Sequence, residues 1–171
     1  MHAGRFVIGS LLVVLVVGCT PRFDSAAGSR ELLKRDAEWA ELASAGQDVE
    51  RVVSYWADDA RVIEPGQPVI AGKAAIRAYV AASFKMPGFH IHWVSEPPVF
   101  SADGTLAYMP GTDEMTVPGT DGRPVTVRMR GVAVWRRDPD GVWRCVIDIA
   151  NEAPPTAAST GTALEAPAST R

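Results

Sequence analysis

The chain has 171 residues, 47% hydrophobic and 22% charged, enough for one domain with a sizeable core. Its 17 Lys and Arg against 20 Asp and Glu give a net charge of −3 without a basic stripe, which excludes a nucleic-acid partner. The two cysteines are too few for a disulfide framework.

Residues 1–18 read as a targeting segment, with Arg5 as the positive n-region and Phe6 to Val17 as an apolar stretch too short to span a bilayer. Val16-Val17-Gly18-Cys19 resembles the lipobox of bacterial lipoproteins, which implies lipid modification of Cys19. Thr20 in place of Asp then implies an outer-membrane destination on the periplasmic side. The acyl chains would hold the protein to the membrane. Residues 19–28 read as a tether. Ser29 is placed to N-cap a first helix running to about Ser44, which Gly46 stops. Asp48 caps a second, whose apolar stripe is Val49, Val52, Val53 and Trp56.

Asp58-Asp59 is expected to break that helix, and residues 60–63 form a short strand. Glu64 precedes Pro65, which pushes it toward an extended conformation at the strand end. Gly72-Lys73 opens a third helix with Ile76, Tyr79, Val80 and Phe84 on one face, and Pro87-Gly88 ends it. Strands follow. In the first, Phe89, Ile91 and Trp93 alternate with His90 and His92. Residues 105–117 form the next, with a bulge or kink expected at Pro110-Gly111. Residues 125–136 and 142–150 form two more around the Asp138-Pro139-Asp140-Gly141 turn. From Ala153 the chain is Ala/Thr/Ser/Pro-rich, and residues 154–171 read as a disordered tail.

The run Tyr55-Trp56-Ala57-Asp58-Asp59-Ala60-Arg61-Val62, with Pro65 after it and Gly72 to Arg77 opening the third helix, resembles the nuclear transport factor 2-like superfamily. That superfamily includes steroid delta-isomerases and SnoaL-like polyketide cyclases. The likeness extends in patches from about Ser29 to Pro155 and is nearest a bacterial branch, often lipoproteins, with a terminal D-x-x-N pattern matched by Asp148 and Asn151. It implies a cone-shaped α+β fold over residues 29–153, three N-terminal helices on a curved antiparallel sheet. An apolar cavity then opens at one end.

Glu64 matches the catalytic aspartate of the steroid isomerases, where a desolvated carboxylate shuttles a proton beside a carbonyl. In ketosteroid isomerase that chemistry uses a tyrosine and a protonated aspartic acid as the electrophile. Here those two positions fall on Trp39 and Gly131, so the electrophile of steroid isomerisation is missing. Asp148 is the second acid/base candidate, the alternative being a structural carboxylate paired with Arg128, Arg130 or Arg144. Strand alternation puts Asp148 opposite Trp143 and Asn151 beside it, so the two share a site only across a bulge. Trp39, Trp56, Tyr79, Trp93 and Tyr108 are the candidate aromatic walls, with Asn151 as a ligand hydrogen-bonding group. His90 and His92 have no companions to complete a metal site, and Cys145 reads as a buried, inert thiol. No cofactor fingerprint is recognisable. The expected partner is a small apolar molecule, bound or isomerised in the cavity with Glu64 as base. The alternative is a homodimeric interaction module using the open sheet face.

Overall fold

The computed structural model describes residues 23–154. The targeting segment, Cys19 and the tail from residue 155 lie outside these residues. The described chain runs α1 (Ser25–Ala45), α2 (Val49–Val53), β1 (Trp56–Ile63), β2 (Ile70–Ala71), α3 (Lys73–Phe84), β3 (His90–Ser95), β4 (Val99–Phe100), β5 (Leu106–Pro118), β6 (Pro124–Arg137) and β7 (Trp143–Glu152).

Helix α1 starts earlier than expected. Asp24, not Ser29, is the N-cap, and its carboxylate accepts from the N–H groups of Ala26 and Ala27, both at 3.0 Å. The expected tether therefore loses its last residues to the helix. Gly46, at φ 63°, closes the other end and donates back to Leu42 and Ala43. The buried face of α1 carries Leu32, Asp36, Trp39 and Ala43, at helical spacing.

Helix α2 is a single turn capped by Asp48, and Trp56 is not part of it. The β-branched Val49, Val52 and Val53 are weak helix formers. The carbonyl of Tyr55 instead accepts from Cys145 N–H at 2.9 Å, which hands Trp56 to β1. Asp58 and Asp59 thus lie within a strand rather than breaking a helix.

The sheet order is β2-β1-β7-β6-β5-β3, with β4 also pairing β5. It is mixed, not purely antiparallel: β1 runs parallel to β7, while the other pairs are antiparallel. A parallel partner requires a long connection, and here α3 and the whole meander supply it. Pairing of β5 with β6 runs without a break through Pro110↔Val132 and Gly111↔Gly131, so the bulge expected there is absent. The Pro110 carbonyl accepts from Glu96 N–H at 2.7 Å.

The irregularities lie elsewhere. Register shifts in β7, where Val134↔Ile147 and Trp135↔Cys145 leave Val146 as the extra residue. It shifts in β1 as well, between Trp56↔Cys145 and Arg61↔Ile147. The β1 irregularity exposes Asp58 and Asp59, which Lys73 and Arg136 hold at 2.8 and 3.0 Å.

The helices pack on one face of the sheet. Trp39 is the centre of that contact, stacked on Tyr55 and edge-on to Trp56, Trp93 and Trp135. Leu32, Ile76, Trp135, Trp143 and Cys145 are within 1% of full burial around it. Cys145 is a free, enclosed thiol whose Sγ donates to Ile147 O, and burial pushes its pKa well above the usual range.

Candidate functional site

Between the helices and the concave face of the sheet lies a cavity of about 100 Å³. A cavity of roughly 150 Å³ accommodates benzene, so as it stands the space suits a compact molecule and not a polycyclic one. Its walls are mostly apolar and aromatic, with Trp39 from α1, Trp56 from β1, Tyr79 from α3 and Trp93 from β3. The indole N–H groups of Trp39 and Trp56 are buried without a partner.

Four carboxyl groups enter this space from different elements. Asp36 comes from α1, Glu64 from just past β1, Asp113 from β5 and Asp148 from β7. The bulge at Val146 explains the last. Trp143 and Cys145 point into the core, and the extra residue resets the alternation so that Asp148 and Ala150 also line the cavity. Val62 lies directly across from Asp148, and Glu64 follows two residues on, on the same face. The two carboxyls are therefore neighbours across a pair of adjacent strands.

Their electrostatics follow from this crowding. Burial, then the charge of Asp113, pushes Glu64 up to about 7. Burial, then Glu64, Asp113 and Asp36, pushes Asp148 up to about 7 as well. Asp113 is raised by burial and by Asp36. Asp36, only 4% exposed, is raised by burial, against hydrogen bonds from Ser95 and from Trp93 Nε1, the latter at 3.3 Å. Burial, Glu64 and Asp148 together push the Tyr79 hydroxyl up to about 12, so it stays a neutral phenol. None of the lining residues is Lys, Arg or His.

The structure thus brings Glu64, Asp148, Trp39, Trp56, Tyr79 and Trp93 to one cavity. Tyr108 is not there: it is 47% exposed, paired with Val134 across β5 and β6 on the outer face. Asn151 is not there either, because the same bulge that turns Asp148 inward leaves Asn151 exposed. The arginine partners considered for Asp148 are engaged elsewhere or face away: Arg128 pairs with Glu114 at 3.1 Å, and Arg144 with Asp138 and Asp140. His90 and His92 are exposed, and no metal-holding cluster occurs among the described residues.

Sequence reasoning missed Asp36 and Asp113. Asp36 stands in the buried stripe of α1, four residues after Leu32 and three before Trp39, a charge where an apolar residue is the rule. Asp113 follows Met109 and Gly111 on the same strand face, a signal hidden by the bulge expected at Pro110-Gly111. Gly131 belongs to the same design. A side chain there would collide with Ile149 O, and its Cβ would stand 3.4 Å from Asp113 Oδ2. The space beside Gly131 is taken by the Asp113 carboxyl, from the neighbouring strand.

Solved structures share the fold. A ketosteroid isomerase-like protein from Erwinia carotovora superposes with TM-score 0.59 at 18% identity, covering 72% of this chain and 96% of that one. A nuclear transport factor 2-like superfamily protein from Salmonella enterica gives 0.63 at 15% identity, covering 81% and 100%. A nuclear transport factor 2-like protein from Novosphingobium aromaticivorans gives 0.58 at 21% identity, covering 78% and 87%. No curated protein sequence matches the chain. The profile of the SnoaL-like domain, in contrast, matches residues 37–146, from α1 through the bulge of β7. On that match and this architecture, the chain belongs to the SnoaL-like domain family of the nuclear transport factor 2-like superfamily.

Proposed function

We propose that this SnoaL-like domain binds a small, largely apolar molecule in its cone cavity, while lipid on Cys19 holds it on the periplasmic side of a bacterial outer membrane. The carrying observation is an aromatic-walled cavity of about 100 Å³ into which four carboxyl groups project, three of them (Glu64, Asp113 and Asp148) without a side-chain hydrogen bond. Such a space inside a packed core costs stability unless something is gained by keeping it open. A thermal-shift screen with compact cyclic and branched molecules tests the reading. A ligand at about a hundred times its dissociation constant stabilises by ~2.7 kcal/mol, a shift of several degrees in a domain of this size. No shift from any compact ligand removes it.

A second reading is cofactor-free proton transfer, an isomerase or cyclase activity. It is favoured by one arrangement: Glu64 and Asp148 line the same cavity from adjacent strands, both stand at about 7, and the charge of Glu64 is one of the causes that raise Asp148. Near neutral pH such a pair holds about one proton between two groups, one acting as base and the other as acid. Glu64→Gln is then expected to abolish solvent-deuterium exchange into a bound ligand, by about 100-fold or more, while its affinity stays within a few-fold. Exchange that survives the substitution returns the site to binding alone.

A further inference from the structure

We propose that the polar end of the cavity's ligand is a protonated amine, so that the site takes a compact organic cation with an apolar body. The proposal deepens the binding reading above and rests on it.

The charge inventory is one-sided. Asp36 faces the cavity from α1, Glu64 from the end of β1, Asp113 from β5 and Asp148 from β7; α3 adds the phenol of Tyr79, and β3 and β6 add no ionisable group. The sheet's arginines lie outside, with Arg136 on Asp59 and Asp138, Arg144 on Asp138 and Asp140, and Arg128 on Glu114. An anionic head group would enter a purely acidic space, so carboxylate and phosphate ligands are rejected.

The second observation is the state of the acids themselves. Asp148 is part-buried and lines the cavity. Neither it nor Glu64 nor Asp113 takes part in any side-chain hydrogen bond that lowers its pKa, in contrast to Asp36 with Trp93 and Ser95. Carboxyl oxygens crowded in an apolar space without donors lack what an ammonium supplies: positive charge and up to three N–H groups. When the cavity is empty, protons relieve the mutual repulsion of these acids. An ammonium does so in their place, so binding releases protons. The aromatic walls suit both the apolar body and the cation. The unpaired indole donors of Trp39 and Trp56 would serve an acceptor instead, which makes a neutral alcohol the proper competitor.

The test uses the full chain and three matched probes: isobutylamine, isobutanol and isobutyrate. Binding is read from the indole N–H signals of the tryptophans at about pH 6 and about pH 8. The expected result is isobutylamine at least about tenfold tighter than isobutanol at the higher pH, with isobutyrate not binding. The amine's affinity should rise severalfold between the two pH values, and Asp148→Asn should erase its advantage while isobutanol still binds. Glu64→Gln repeats the comparison if Asp148→Asn does not fold. Isobutanol binding as tightly as the amine, or an advantage that survives both substitutions, overturns the amine and leaves the cavity reading intact. If none of the three binds, the cavity reading fails and the amine with it.

Discussion

Asp148 is the residue whose environment says most about the site. Its carboxyl stands at about 7 in the folded chain, against 3.8 as the ordinary value, because burial and three other acids oppose its charge. The native state therefore holds a proton that the unfolded state releases between about pH 4 and about pH 7. The resulting stabilisation is fully present below about pH 4 and is lost as pH rises through about 7. For one uncoupled group this amounts to roughly 4 kcal/mol at most. Glu64 adds a loss of the same sign, from its ordinary 4.5 up through about 7. Asp148→Asn keeps the shape and removes the charge. It is expected to be more stable than the wild type at about pH 8 and close to it at about pH 4, read from urea unfolding midpoints at both. Parallel pH curves for the two proteins would mean that Asp148 does not carry the burial cost assigned to it.

At the scale of elements, two irregularities in adjacent strands build the site. Val146 turns Asp148 inward, and the long excursion of β1 between Trp56 and Arg61 brings Val62 level with it and Glu64 two residues on, on the same face. The excursion is held from outside. Arg136 donates to both oxygens of Asp59 at 3.0 Å and to Asp138, while Lys73 reaches Asp58 at 2.8 Å. Asp58 and Asp59 are exposed and their cationic partners only part-buried, so the network orders the excursion more than it stabilises the fold. Arg136→Ala is expected to cost no more than about 1 kcal/mol in dilute buffer, and less in about 1 M salt. A loss of several kcal/mol, insensitive to salt, would show that the pairing carries the strand itself. Neither irregularity was legible beforehand. A bulge depends on which strand lies alongside, and the partner of β1 is β7, at the far end of the chain. The alternation that correctly placed Phe89, Ile91 and Trp93 on one face therefore failed for Asn151, beyond Val146. Helical spacing failed for Trp56, which the valines suggested for α2 but which pairing to Cys145 places in β1.

For the molecule as a whole, the fold was legible because its signals are local: caps, two periodicities, and the Asp58-Asp59-Ala60 and Gly72-to-Arg77 patterns of the family. The acidity of the cavity was not, since it arises from four elements meeting. The start of α1 constrains how a lipid-anchored domain would sit at a membrane. Helix α1 begins at Ser25, so a lipid on Cys19 leaves only the few residues up to Asp24 as the link. Even fully extended, five residues reach about 18 Å, less than the length of α1 itself at about 1.5 Å per residue. A domain so tethered would stay against the lipid head groups, where compact amphipathic molecules partition. Cys19→Ser is expected to move the protein from the membrane fraction to the soluble extracytoplasmic fraction, with its cavity binding unchanged, measured by fractionation and by the probe titration. Retention of Cys19→Ser in the membrane fraction would assign the anchoring to another part of the chain, and a change in probe affinity would mean that membrane attachment and the cavity are coupled.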